Sequence, residues 1–120
     1  AWDLAAHIAQ SDVWFLDGIH AGAFTSDAAR SKAVLDSFTT VADIVAFYEK
    51  EVPARLEALA ALPGEALTTP VSFFGMFEMP CVSFLGMANN HGIHHRGQLA
   101  AYLRALGSKV PALYGESADE

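Results

Sequence analysis

The chain has 120 residues, 52% of them hydrophobic and 18% charged, which describes one domain with a modest core and excludes intrinsic disorder. Fourteen acidic residues against seven basic ones, a formal net charge of −7, exclude an extended phosphate-binding surface, so nucleic acid is not an expected partner. A single cysteine, Cys81, excludes an intrachain disulfide framework or a Cys-rich zinc site.

The first predicted helix runs from about residue 1 to Gly18, with Trp2, Leu4, Ala5, Ile8, Val13 and Leu16 at helical spacing and the glycine as its stop. Helical periodicity that begins at residue 1 without a cap implies a missing upstream segment. The stretch "GIHAGAFTSDAARSKAVLDSF" reads as a loop, holding His20, followed by a short weak helix capped by Ser26 or Asp27. Thr39, Thr40 and Asp43 announce a second long helix, whose stripe of Val41, Ile44, Val45, Tyr48, Val52, Leu56, Leu59 and Leu62 ends at Pro63-Gly64. Pro53 falls inside that stripe, and a kink is expected at 49–53. Residues 65–79, "EALTTPVSFFGMFEM", read as an irregular, partly extended connection that packs aromatics on the helices, with a short hairpin as an option. Pro80 suits the first turn of a last helix running to Leu106, with Gly107 as its stop. The tail is expected to be ordered around Val110, Leu113 and Tyr114 and to fray beyond. The expected fold is therefore all-α: one domain over 1–120, an antiparallel helical bundle of three long helices and a short fourth. No apolar run reaches the ~20 residues of a membrane span, and no basic-then-apolar leader opens the chain, so the expected setting is the cytoplasm.

Three of the five histidines, His91, His94 and His95, stand within five positions of the last helix. At about 100° per residue, His91 and His95 lie roughly 40° apart on one face and can share an ion, whereas His94 and His95 are roughly 100° apart. Catalytic zinc-type sites need three protein ligands and leave a position open. His7, on the stripe with Leu4, Ile8 and Ser11, is one candidate for the third, because both histidine-bearing helices must face one small core; His20 and Glu78 are the others. Gln98 lies one further turn along, near the His91/His95 face, and Arg96 and Gln98 read equally well as solvated surface. Cys81 reads as a buried small apolar residue, since ten residues of helix, about 15 Å, separate it from His91.

The stretch "NHGIHHRGQLAAYLRALGSKVPALYG", together with "LAAHIAQSDVWFLDGI" near the start, resembles the DinB/YfiT-like family of metal-binding four-helix bundles. The resemblance implies an up-down-down-up-type bundle from which an N-terminal helix is lacking here. It implies a divalent ion held by His7, His91 and His95, with zinc or nickel first and iron, manganese or copper as alternatives. Some relatives are S-transferases that join a low-molecular-weight thiol to an electrophile, so a small-molecule substrate and a thiol cofactor are implied. A non-catalytic metal- or ligand-binding bundle and a metal-dependent hydrolase are the alternatives. Within that reading His94 and Gln98 stand beside the ligands or contact substrate, and Arg96 pairs with a carboxylate of the thiol or pins the C-terminal tail. Trp14, Phe15, Phe73, Phe74 and Phe77 wall the pocket or fill the core. An apolar edge left by the missing helix implies a homodimer.

Overall fold

The structure is a computed structural model that describes residues 1–117 and 119. Its first helix, α1 (Trp2–Ala21), runs three residues past Gly18 and is closed by Gly22, whose φ of 78° is the left-handed conformation glycine adopts without strain. Gly18 is thus not the expected stop. It is buried under Phe24, and a Cβ there would lie 2.4 Å from the Phe24 ring. His20 accordingly sits on the last turn of α1, exposed, and not in a loop.

The chain then forms β1 (Ala23–Phe24) and α2 (Ala28–Asp36), capped by Asp27, whose carboxylate accepts from the Arg30 amide at 2.9 Å. No residue of α2 is buried. The helix α3 (Val41–Ala60) opens on a complete capping box between Thr40 and Asp43 and runs on through Pro53. Hydrogen bonds from Thr39 and Thr40 hold the Asp43 carboxyl down at about 2, so this cap persists in acid until the pH falls through that value. A 3-10 turn, Gly64–Thr68, leads into β2 (Pro70–Phe73) and β3 (Phe77–Pro80), and α4 (Cys81–Ala105) follows directly, with Pro80 just ahead of its first turn.

The expected all-α class is corrected here: four helices are joined by a three-stranded sheet in the order β1-β2-β3. The optional hairpin in 65–79 is present, with Val71 opposite Met79 and Phe73 opposite Phe77, and β1 adds to it in parallel. The sheet forms because the chain leaving α1 must satisfy its backbone groups, and the Gly22 and Phe24 carbonyls accept from the Ser72 and Phe74 amides. The Trp14 indole donates to the Thr25 carbonyl at 3.2 Å and fastens that strand to α1.

Three clusters make the core, and each has members on α1: Phe15 and Ile19 with Phe24, Val71, Cys81 and Phe84; Ala6 and Ala9 with Phe38 and Ile44; Val13 and Leu16 with Val52. The helices α3 and α4 pack along α1 far more than on each other. Arg55 of α3 donates to Asp17 of α1 at 2.7 Å and to Glu51 at 2.6 Å, and Arg30 reaches Asp17 at 3.2 Å. In the tail, expected to be ordered around Val110, Leu113 and Tyr114, Val110 is buried while Leu113 and Tyr114 are exposed. Arg104, not Arg96, ties the tail down through the Asp119 carboxylate. The expected fraying falls partly on residues 118 and 120, outside the described residues. No helix among the described residues is long and apolar enough to cross a membrane.

The two kinds of helical glycine give opposite expectations. Gly18→Ala should lower the unfolding free energy by about 1–3 kcal/mol, because the Phe24 ring must move. Gly86→Ala on α4, where a Cβ meets nothing within 4 Å, should raise it by about 0.5–1 kcal/mol. Urea unfolding of the two variants beside the parent checks both signs.

Candidate metal centre

The helix α1 presents His7 from its second turn, and α4 presents His91 and His95 one turn apart. Their Nε2 atoms converge: His95 lies 3.1 Å from His91 and 3.3 Å from His7. The three potential ligand atoms all fall within 4.8 Å of one another. With metal–nitrogen bonds of about 2.0–2.1 Å, two ligands of a tetrahedral ion stand roughly 3.3 Å apart, a spacing that the 3.1 and 3.3 Å separations match. His20, exposed at the far end of α1, and Glu78, exposed on β3, are not in this group.

The hydrogen bonding also suits a cation. Nδ1 of His95 donates to Oε1 of Gln98 at 2.7 Å, which places the ring's one proton there and leaves a bare lone pair on Nε2. That single lone pair cannot serve as a good acceptor for His7 and His91 at once, whereas an ion takes a lone pair from all three. Nδ1 of His91 is buried without a hydrogen-bond partner among the described residues. The pKa of His7 is lowered by burial first and by His95 second, with Asp12 opposing. His91 is lowered by burial, then by His95 and His7, again against Asp12. Both rings therefore favour the neutral form that metal ligation requires.

The remaining expected residues divide. His94 is exposed and meets His95 edge-on at 5.0 Å between ring centroids, off the converging atoms. Phe15 walls the cluster, its ring 5.2 Å from His91. Trp14 and Phe73 instead pack on Phe24, and Phe73 also on Phe84, while Phe74 lies against Trp14 and Phe77 against Phe73 where the sheet meets α1. Cys81 is buried in that same cluster, and burial pushes its thiol up, away from nucleophilic use.

Beside the histidines, the gap between α3 and α4 forms a cleft of about 230 Å³ lined by Asp12, Tyr48, Asn89, Gly92 and Arg96 over Leu16, Val52, Leu56, Leu85 and Ala88. Sequence reasoning missed Asp12 and Tyr48. The Tyr48 hydroxyl donates to Oδ2 of Asp12 at 3.0 Å, linking α3 to α1. Burial first and the Asp12 carboxylate second push the Tyr48 phenol up, with Arg96 opposing, so it remains a donor. A larger cleft, about 370 Å³, opens on a different face of α1 between Trp14, Phe47, Arg30 and Arg55. It holds no histidine, and its arginines are already paired with Asp17 and Glu51.

Two outcomes follow. Gln98→Leu frees the His95 ring and should weaken zinc binding about 10–100-fold, read by competition with a chromophoric chelator. Zinc uptake should hold at neutral pH and fail in acid, as the pH falls below the ordinary imidazole value of ~6.5 and through the depressed values of His7 and His91.

The comparisons agree with this architecture. The DinB family model matches residues 1–120. Among solved structures, the crystal structure of a DinB-like protein, YjoA, from Bacillus subtilis superimposes with a TM-score of 0.67 at 23% identity. The superposition covers 96% of this chain and 74% of that one, and at this identity the likeness shows the fold. A search of curated proteins finds no significant match. The family match spans every element that positions the histidines, and the chain belongs to the DinB family.

Proposed function

We propose that the chain is a metal-dependent enzyme that joins a low-molecular-weight thiol to a small electrophile, with His7, His91 and His95 as the metal ligands. The observation that carries the reading is the convergence of three Nε2 atoms, two pairs of them 3.1 and 3.3 Å apart, at the edge of a small cleft. Membership in the DinB family supports it. A divalent ion in such a site, zinc or nickel by donor chemistry, supplies the positive charge that lets a thiol ionise at neutral pH.

The chain's own residues do the rest. Gln98 holds the His95 ring in the one tautomer that points its lone pair inward. Arg96 lines the cleft and pairs with a carboxylate of the incoming thiol. His94, exposed beside His95, is placed to contact substrate at the mouth. Phe15 keeps water from the inner side of His91.

In the same reading the domain works in the cytoplasm, as a helical bundle of the up-down-down-up type. Val41 and Val45 on α3, with Val82 and Ile93 on α4, are exposed apolar side chains, and covering such groups is the support for a homodimer. Light scattering at micromolar concentration should give twice the chain mass, and a clean monomer would count against the dimer.

His91→Ala and His95→Ala should each lose stoichiometric zinc and nickel by elemental analysis while keeping the helical circular-dichroism signal. Metal retained in both would sink the ligand set. The parent should conjugate small thiols to electrophiles only when metal-loaded; metal uptake with no conjugation would favour a binding module or a hydrolase instead.

A further inference from the structure

The cleft beside the histidines carries two opposite charges that do not neutralise each other. Arg96 makes no ion pair among the described residues, although it lines the cleft and acts electrostatically on Tyr48. Asp12 has Oδ2 engaged by the Tyr48 hydroxyl, while Oδ1 accepts no hydrogen bond among the described residues and faces Gly92. The glycine matters at this place: a Cβ on residue 92 would stand 3.8 Å from that oxygen, and anything larger would fill the approach to it. Under the two charges lies an apolar floor of Leu16, Val52, Leu85 and Ala88.

We propose that this cleft binds a small zwitterion of the α-amino acid type, its carboxylate on Arg96, its ammonium on Asp12 Oδ1 and its short side chain on the apolar floor. A simple carboxylate would meet repulsion from Asp12, and a simple amine would meet repulsion from Arg96, so only a ligand carrying both charges is matched at both ends. The volume of about 230 Å³ is below the ~300–1,000 Å³ of sites for drug-sized ligands and suits a molecule of amino-acid size. Tyr48 is a positioning residue: its hydroxyl fixes the Asp12 carboxylate through Oδ2 and leaves Oδ1 beside Gly92, which lines the cleft. The proposal deepens the function above, with which it shares the carboxylate on Arg96; Gly92 of the cleft is the residue next to His91.

The test uses neither a thiol nor a metal, so its result is independent of whether the histidines bind an ion. Calorimetric titration of the metal-free protein compares L-2-aminobutyrate with butyrate and with propylamine. The zwitterion should bind about tenfold or more tightly than either single-charge probe, since each end adds a charge-assisted hydrogen bond. Arg96→Gln should bring L-2-aminobutyrate down to the level of propylamine, and the isosteric Asp12→Asn should bring it down to that of butyrate. Tyr48→Phe should weaken the zwitterion and propylamine while leaving butyrate no weaker, which a merely structural role would not do. Equal binding of the three probes, no binding of any at millimolar concentration, or indifference to both charge deletions would overturn the proposal.

Discussion

Everything in this molecule is hung on α1. All three core clusters include its side chains, and α3 and α4 each pack along it more than on one another. The constraint that follows is steric. One helix must present a different surface to each neighbour, so small residues stand where backbones come close and large ones where gaps need filling. Ala6 and Ala9 admit Phe38 and Ile44 from the α2–α3 side, and Gly18 admits the ring of Phe24 where the strand turns back. Phe15 and Ile19 fill the space toward Phe84 of α4.

The site is a by-product of the same packing. Because α4 lies along α1, one turn of α4 brings His91 and His95 against the turn of α1 that carries His7. Burial and the neighbouring imidazoles disfavour protonation of His7 and His91, and Gln98 sets the tautomer of the His95 ring. Because α3 and α4 diverge over α1, a cleft opens next to the histidines, with Asp12 common to both places. Asp12 opposes the lowering of the His7 and His91 pKa values and receives the Tyr48 hydroxyl.

Local physics made much of this legible in the chain. The capping box at Thr40–Asp43 and the Asp27 cap are short-range patterns, and the structure has them where the residues imply, whereas the expected α3 stripe is buried only at Ile44 and Val52 and leaves Val41, Val45 and Leu56 exposed. The i, i+4 relation of His91 and His95 is of the same kind as the caps, and the resemblance of "LAAHIAQSDVWFLDGI" to the family's early histidine-bearing helix added His7 from the far end of the chain. What was not legible depends on long-range packing. Gly18 reads as a helix stop until Phe24 is seen resting on it. The sheet is invisible to periodicity because its third strand is two residues long and pairs with a hairpin some fifty residues later. Tyr48 belongs to an apolar stripe and Asp12 to a helix surface, and only the crossing of α1 and α3 joins them.

The central claim is that His7, His91 and His95 act together on one ion. Its most direct measurement is a crystal of the metal-loaded protein with diffraction recorded on both sides of the zinc and nickel absorption edges. The result that agrees is one anomalous peak per chain, about 2.0–2.1 Å from all three Nε2 atoms. A peak held by other side chains, or no peak between these rings in crystals grown with either metal, would contradict it.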